Sequence, residues 1–578
     1  MSIEALAGRR LISANTVSSS DREAGIERHP LWVCFCLFLA TVAFKIFYFK
    51  GISYGPIIFG DEKLYRDFAR GLFDLQGYAS GQYPPLYPLL ISPSFLFGAK
   101  YYDAAIVLNC FYSSSIVFPT FLIAKLFMDA RSSLLCAAFA LTMPFNFFFP
   151  RALMSENIFL PLLLFSFYFA VRKPSSKLVL WDTLTAVSLA ALYLTRHISL
   201  AIVPALLALW CITNFQRNKL FVFRLVYVIL IACAAYAPWV VMGLSKDVAL
   251  NKIFGFGIAS RSNPEQKTLV RLGFWLFIYY GYFVVITAPV FHLLWAGTVQ
   301  VCRNLSFENI HKNRLIVGAF LVTFAAMAAA TRHSWNAYYN FPAPMRMMGR
   351  YIMFSPVIFF IVSMYVANSE IYSRKNFGKA AFISLWLISL LTIFLFYTVF
   401  YESLILPIGE NFFGVRIAID GYKILFHPEL WLLTVIAIIS ISAKMLWDHR
   451  SGALLVIFLG FVFINLWGIQ RHEQELSVSR IYSIPARALY DLVSEQGKVR
   501  RFQLFVADSE AIDPTGFKQR FSFWGLPGTA LPLSDLKTDT SPGTKYVLVP
   551  ASERTDYRKA KEIVRYEALG KEFTLLRL

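Results

Sequence analysis

The chain has 578 residues, of which 57% are hydrophobic and 17% aromatic, and its mean hydropathy is +0.55. Apolar runs near twenty residues recur along it, more than a soluble core needs, so the composition indicates a multi-spanning membrane protein. The formal net charge of +20 predicts contact with anionic lipid headgroups or phosphate-bearing ligands; the basic residues are scattered among the apolar runs, which argues against a nucleic-acid partner.

The amino-terminal part predicts a tail and a membrane anchor. Residues 1–30 are polar, carry four arginines and predict a disordered cytoplasmic tail. The apolar block from Leu31 to Lys50 is longer than the core of a typical signal peptide, so we expect a retained signal anchor; Thr41-Val42-Ala43 leaves cleavage as an alternative.

Beyond the anchor, the apolar runs predict twelve further spans. They lie near residues 100–128, 134–149, 157–171, 178–194, 198–213, 220–243, 272–299, 315–330, 351–367, 380–401, 429–443 and 452–469. An odd total of thirteen puts the termini on opposite sides, and the bias of Lys and Arg favours a cytoplasmic amino terminus. On this topology the first outer loop, 51–99, faces outward. The fold class is therefore an α-helical multi-pass membrane protein, with residues 31–470 as its transmembrane domain.

The composition changes after residue 470. An amphipathic helix is predicted over Ile484 to Gln496, and strands are predicted over Arg501 to Val506, Tyr546 to Val549 and Phe573 to Leu578. Residues 471–578 therefore predict a small extracytoplasmic α/β domain.

The first outer loop contains a polar, amphipathic stretch from Gly60 to Pro93. A helix beginning at Asp61 would place Glu62 one and two turns before Arg66 and Arg70, the favourable order for an acid and a base. Asp61 has no basic residue at those spacings. It is therefore the freer carboxylate and the better candidate for a catalytic base.

Other polar residues recur at the outer ends of the predicted spans. Arg151 and Glu156 lie in the second outer loop, Arg196 in the third, and Arg350 with Tyr351 in the fifth. Carboxylates and arginines are costly at that depth, so they are candidate functional residues. No Gly-rich phosphate loop, HExxH, CxxC or GxSxG motif occurs, and the seven cysteines predict neither a disulfide framework nor a metal site.

The order of these motifs resembles the GT-C glycosyltransferases, a superfamily that includes the protein O-mannosyltransferases and the lipid A aminoarabinose transferases. The resemblance covers about residues 31–370. It rests on Asp-Glu-x-x-Tyr-x-x-x-Ala at residue 61, Tyr-Pro-Pro-Leu-Tyr-Pro at 83, Ser-Glu-Asn at 155, Thr-Arg at 195 and Gly-Arg-Tyr at 349. The sequence departs from the aminoarabinose transferases at Thr195-Arg196-His197, where Thr-Lys-Gly is expected, which puts that sugar in doubt.

The resemblance implies a polyprenyl-phosphate-linked sugar donor, inversion at the sugar carbon, and transfer on the outer face of a bacterial inner (cytoplasmic) membrane. The acceptor would be a glycan, a lipid or a protein. Asp61 matches the family's base, and arginines can stabilise a departing lipid phosphate without a divalent metal. A divalent metal stays open as an alternative, but the sequence does not indicate one. The candidate site residues are the catalytic acids Asp61, Glu62 and Glu156, the donor-phosphate ligands Arg196, Arg350 and Tyr351, and the acceptor or sugar contacts Tyr65, Tyr83 and Tyr87.

The charged candidates also have structural interpretations. Asp61 could be a solvated helix cap or first-turn acid, and Glu62 could pair with Arg66. Glu156 could begin a helix capped by Ser155, and Arg196 and Arg350 could be interfacial anchors. A flippase or secondary transporter would also have many spans, but its ionisable residues should lie near span centres. A membrane-anchored assembly protein that presents the C-terminal domain would not need the acids of the first loop.

Overall fold

A computed structural model of the chain describes residues 29–50, 55–57, 60–76, 83–174, 176–255, 268–287, 290–303, 305–337, 349–369, 480–495, 501–507, 514–539, 544–557, 559–568 and 571–578, with isolated positions between 383 and 462. The predicted tail, and most of the spans predicted at 380–401, 429–443 and 452–469, lie outside these residues.

The first part of the structure is helical. Its helices are α1 Pro30–Phe49, α2 Gly60–Phe73, α3 Leu86–Ile91, α4 Tyr101–Ser114, α5 Val117–Lys125, α6 Ala130–Thr142, α7 Phe145–Phe148, α8 Glu156–Val171, α9 Leu178–Tyr193, α10 Ser199–Asn214, α11 Lys219–Leu244, α12 Leu250–Ile253, α13 Leu269–Ile286, α14 Phe291–Arg303, α15 Phe307–Lys312, α16 Arg314–Ala337 and α17 Ser355–Asn368. Short 3₁₀ turns lie at Ser92–Lys100, Phe149–Arg151 and Gly349–Tyr351. Helix α8 packs against α4, α5, α9 and α10 and is central to the bundle.

Within the described residues, four helical stretches are long and apolar enough to cross a membrane. They are Pro30–Phe49, Leu86–Lys125, Lys219–Leu244 and Arg314–Trp335. The helices Ala130–Thr142 and Phe145–Arg151, bent by 55° from each other, would make a fifth. Helices α8, α9, α10 and α17 are apolar but shorter. The total of thirteen spans therefore stays a prediction.

Two spans that were predicted as single helices are broken. The run predicted at 134–149 is the bent pair just described, because Pro144 and Pro150 interrupt the helical hydrogen bonds. The run predicted at 272–299 forms two helices, α13 and α14, with Thr287 and Val290 between them. Apolar character alone does not distinguish a continuous span from a broken one.

Three asparagines satisfy the irregular backbone between α6 and α8, which leads to Glu156. The amide nitrogen Nδ2 of Asn146 donates to the Ala140 carbonyl at 2.8 Å, that of Asn109 to the Ala152 carbonyl at 2.9 Å, and that of Asn157 to the Phe149 and Met154 carbonyls at 2.9 Å each. All three are buried. Buried carbonyls need such partners where no water reaches them, so these amides hold the segment in one shape.

A buried ion pair lies near the start of α9, at the end of the helix away from Tyr193. Both carboxylate oxygens of Asp182 accept from Arg224 of α11 at 2.8 Å, and Arg224 also donates to Asn214 at 3.2 Å. Arg224 and Asp182 are buried. This pair joins α9, α10 and α11 away from the predicted site.

The C-terminal part of the described chain is an α/β unit. It contains helix α18 over residues 480–495, helix α19 Gly516–Trp524, and the strands β1 Phe502–Val506, β2 Gly528–Pro532, β3 Thr544–Pro550, β4 Lys561–Ala568 and β5 Lys571–Arg577. The sheet order is β2-β1-β3-β5-β4, in which β2, β1 and β3 are parallel and β5 is antiparallel to both β3 and β4.

The two faces of this sheet have different neighbours, because successive strand residues point to opposite sides. Phe502 and Leu504 of β1 join the main core, which includes α19, whereas Phe505 belongs to a second small cluster with Val547 and Leu576. The predicted helix and three predicted strands are confirmed; α19, β2 and β4 were not predicted. The domain boundary expected at 470/471 lies outside the described residues.

Candidate active site

Helix α2 presents Asp61 at its amino-terminal end. Asp61 and Glu62 occupy its first turn and Arg70 its last, the charge order that a helix dipole favours. The Asp61 side chain is 29% exposed, and its Oδ2 lies 3.7 Å from a terminal nitrogen of Arg350. This separation is an ion pair without a direct hydrogen bond. The carboxylate is therefore close to a cation and still open to solvent.

Glu156, the first residue of α8, is a buried carboxylate next to two arginines. Its side chain is 0% exposed and forms an ion pair with Arg196, which lies in the turn after α9. Its Oε1 is also 3.5 Å from Arg350. Arg350 thus lies within ion-pair distance of both Asp61 and Glu156. The four groups carry two negative and two positive charges, so the cluster is neutral as a whole.

The surroundings of Arg196 favour its charged form. Burial acts to lower its pKa and the Glu156 carboxylate acts to raise it, and the net effect is a pKa above the usual arginine value. Its guanidinium also faces the ring of Tyr351 at 5.6 Å from the centroid, while that of Arg350 lies 6.0 Å from the same ring. Tyr351 therefore packs against both arginines, and it also contacts His333 with ring centroids 5.6 Å apart.

Tyr65 connects α2 to the residue before Glu156. Its hydroxyl is 3.0 Å from Ser155 Oγ, and burial followed by the charge of Asp61 raises its pKa, so the phenol stays protonated. Ser155 makes no capping hydrogen bond at the start of α8, which differs from the capping alternative raised by the sequence. Its hydroxyl forms a hydrogen bond with the Tyr65 hydroxyl instead.

The other two predicted tyrosines differ in accessibility. The ring of Tyr83 stands edge-on to Tyr65 with centroids 6.5 Å apart, and burial followed by Asp61 raises its pKa. Tyr87 is 0% exposed, and its hydroxyl donates to Asn109 at 3.2 Å. Tyr83 thus borders the charged cluster, whereas Tyr87 lies behind Tyr65. A sugar contact by any of the three stays a prediction.

Glu62 has other partners than those expected. Its Oε2 accepts from the Tyr102 hydroxyl at 3.3 Å and from the Leu153 backbone N–H at 3.2 Å. Arg66 forms an ion pair with Asp67, and Arg70 with Asp74 at 2.6 Å. The predicted partners were wrong because this side of α2 packs against protein, where a backbone donor and a tyrosine are available. These contacts favour a structural role for Glu62 over a catalytic one.

The sequence therefore identified the residues of one cluster but missed Ser155 and Tyr102, which hydrogen-bond to Tyr65 and Glu62. The structure brings together Asp61, Glu156, Arg196, Arg350, Tyr351, Tyr65 and Tyr83, from four separate segments of the chain. Ser155 could have been found from its place in Ser-Glu-Asn, but nothing in the sequence pointed to Tyr102. Among the described residues, no three His, Cys, Asp or Glu side chains converge as metal ligands, and the cations beside the two carboxylates are guanidinium groups.

Comparisons with known proteins give a match at the level of structure only. No protein-family model matches the sequence, and no curated protein matches it either. The crystal structure of ArnT from Cupriavidus metallidurans bound to undecaprenyl phosphate superposes with a TM-score of 0.50 at 10% identity, over 94% of this chain and 98% of that one. The apo structure of the same protein gives 0.50 at 12% identity, over 94% and 97%.

A more distant match is the archaeal oligosaccharyltransferase AglB from Archaeoglobus fulgidus, in complex with an inhibitory peptide and a dolichol-phosphate. It gives a TM-score of 0.34 at 9% identity, over 93% of this chain and 74% of that one, and adds no weight to the fold assignment. The two ArnT structures span nearly the whole of both chains, so the match includes the helical bundle and the C-terminal sheet. The chain therefore has the fold of these ArnT structures.

Proposed function

We propose that the chain is an inverting glycosyltransferase, which moves a monosaccharide from a polyprenyl-phosphate carrier to a hydroxyl of an envelope glycan, lipid or protein on the outer face of the membrane. The observation that carries this proposal is the convergence of Asp61, Glu156, Arg196 and Arg350 at one end of the bundle. The fold supports it, since ArnT, which shares this fold, was crystallised with undecaprenyl phosphate.

In the proposed reaction, the acceptor oxygen attacks the anomeric carbon of the sugar. Its proton passes to the carboxylate of Asp61, the bond between that carbon and the phosphate oxygen breaks, and the polyprenyl phosphate leaves with the electron pair. Asp61 suits the base because it is the most exposed of the four charged groups, so an acceptor hydroxyl can reach it.

The two arginines would act on the phosphate in different ways. Arg196 is committed to Glu156 and supplies a fixed positive charge near the departing oxygen, so its loss should lower turnover more than donor affinity. Arg350 lies 3.5 and 3.7 Å from its two carboxylates, so a phosphate can compete for its N–H groups. A planar guanidinium can hold two phosphate oxygens at once.

Replacing Arg350 by alanine is therefore expected to raise the Kd for a polyprenyl phosphate about tenfold or more, the usual scale for a charged hydrogen-bonded contact. Lysine should restore only part of the affinity, because a point charge cannot reproduce the bidentate geometry. Titration of the purified protein with undecaprenyl phosphate measures both effects.

Arg314 provides a matched control for this titration. It begins α16, far along that helix from His333, and donates to the Val171 carbonyl at 3.0 Å. Arg314→Ala should leave the Kd unchanged. Unchanged affinity in Arg350→Ala would instead reduce Arg350 to an interface anchor.

The orientation of the site can be tested by cysteine labelling. Single cysteines at Gln76, after α2, and at Lys537, in the C-terminal unit, should react with an impermeant thiol reagent in intact cells. A cysteine at Arg217, between α10 and α11, should not. All three positions are exposed. The unsubstituted chain, with its seven native cysteines, sets the background. Reversed labelling would move the site to the cytoplasm and favour a nucleotide-sugar donor.

A further inference from the structure

Side chains of helix α19, in the C-terminal unit, contact α2, the helix that carries Asp61. The ammonium of Lys63 donates to Ser522 Oγ at 2.7 Å. The guanidinium of Arg66 lies over the ring of Phe523, 5.0 Å from its centroid. Lys63 and Arg66 are three residues apart and so lie on the same face of α2. Two side chains of that face therefore contact α19.

A second line of contacts runs from α19 to Glu62. The ring of Tyr102 lies 5.8 Å from that of Phe523 and 5.6 Å from that of Trp524. The hydroxyl of the same tyrosine lies within hydrogen-bond distance of two acceptors, Glu62 Oε2 at 3.3 Å and the Arg151 carbonyl at 3.0 Å, which share its one proton. Tyr102 thus joins α19 both to α2 and to the segment that leads to Glu156.

Helix α18 adds contacts on either side of this arrangement. Ser483 Oγ donates to the carbonyl of Pro56, four residues before α2 begins. Arg487 donates to Asp103 at 3.1 Å and covers the ring of Trp524 at 4.8 Å from its centroid. The C-terminal unit therefore contacts the chain before α2, α2 itself and the start of α4.

Neighbouring residues of α2 therefore differ in role: one faces the charged cluster, and the next two contact other parts of the protein. Successive residues of a helix are turned by about 100° from each other, so the rotation of α2 about its axis sets all of their directions together. Asp61 faces Arg350, whereas Glu62 contacts Tyr102 and Leu153, and Lys63 contacts α19. Any rotation of α2 that loosened the last two contacts would also move Asp61 relative to Arg350.

We propose that the C-terminal unit positions the catalytic helix, with Phe523 and Ser522 of α19 as positioning residues that keep Asp61 directed at the acceptor. This inference rests on the proposed glycosyltransferase function and assigns to the C-terminal unit a part in turnover. It requires that disturbing α19 change the chemical step while leaving the donor phosphate site, built from Arg196 and Arg350, as it is.

The test compares Phe523→Ala and Phe523→Tyr with the unsubstituted protein. Phe523→Ala should lower kcat about tenfold, because small misplacements of a catalytic group are costly, and leave the Kd for undecaprenyl phosphate within about twofold. Phe523→Tyr keeps the ring and should restore kcat. Tyr557→Ala is the matched control, since Tyr557 is an aromatic residue of the same unit that packs on the opposite face of the sheet; its kcat should not change.

If Phe523→Ala does not fold, two less disruptive substitutions test the same inference. Lys63→Ala and Ser522→Ala each remove one side of a single exposed hydrogen bond. Each should lower kcat about threefold, and the double variant should be no slower than either single one, since both remove the same contact.

Several results would overturn the inference. One is an unchanged kcat in folded Phe523→Ala. Another is a loss of donor affinity in Phe523→Ala that matches its loss of kcat, which would place the effect on the donor site. A third is a double variant of Lys63 and Ser522 in which the two threefold losses of kcat multiply. An unsubstituted protein that transfers no sugar would overturn the proposed function and this inference together. That case is recognised from the unsubstituted protein alone.

Discussion

Replacing Asp61 by asparagine is expected to lower the rate of sugar transfer about 100-fold or more, with the protein still folded. The amide has the same size as the carboxylate but cannot accept the proton of an attacking hydroxyl, and general bases contribute on this scale. The ion pair with Arg350 is also lost, but at 3.7 Å and with Asp61 29% exposed it contributes little to stability. The measurement is kcat with a polyprenyl-phosphate sugar, together with the melting temperature in detergent.

Asp67→Asn is the matched control for this experiment. Asp67 lies on the same helix, is exposed, and pairs with Arg66 instead of a residue of the cluster. The same chemical change there should leave kcat within about twofold, since exposed pairs are worth little. Turnover in Asp61→Asn equal to that of the unsubstituted protein would remove Asp61 as the base.

Glu156→Gln is expected to have an equally large effect, on stability and on the phosphate site. Glu156 is fully buried beside two guanidinium groups, and removing one partner of a buried ion pair typically costs about 3–5 kcal/mol because the other charge is left uncompensated. The melting temperature should therefore fall clearly. The two arginines would then attract a phosphate more strongly, because no carboxylate would neutralise Arg196.

Undecaprenyl phosphate should therefore stabilise Glu156→Gln more than it stabilises the unsubstituted protein, since a ligand that binds more tightly raises the melting temperature further at the same concentration. Tighter product binding should also slow turnover. Asp182→Asn breaks a buried ion pair of similar geometry with Arg224, away from the site. It should lower the melting temperature without changing the shift caused by the ligand. Equal shifts in both variants would show that Glu156 does not act on the phosphate site.

The sequence predicted candidate site residues where a single residue type in a local pattern was enough to identify them. Helical spacing distinguished Asp61 from Glu62, although the partners it gave to Glu62 were wrong, and the cost of charge near a membrane singled out Glu156, Arg196 and Arg350 as candidates. These residues lie in segments far apart in the chain, and the fold brings them into one cluster. The resemblance to GT-C enzymes agrees with the fold found by structural comparison.

What the sequence could not supply were partners from distant parts of the chain. Glu62 has Arg66 one helical turn away, yet its hydrogen bonds come from Tyr102 and Leu153, and no local rule identifies either. At the bend after Thr142, Asn146 satisfies the Ala140 carbonyl, and further on Asn109 satisfies that of Ala152; both contacts are properties of the packed bundle. Hydrophobicity predicted a single span there, because it does not register such side-chain hydrogen bonds.

The contact between Lys63 and Ser522 joins residues that are 459 positions apart. A ribosome adds about 5–20 residues per second, so α2 emerges roughly half a minute or more before the helix that packs on it. During that interval the spans between them can enter the membrane, but Lys63 and Arg66 of α2 have no α19 to contact. On the positioning role proposed for the C-terminal unit, the newly made protein would therefore reach its full rate of transfer only after α19 has been synthesised and contacts α2.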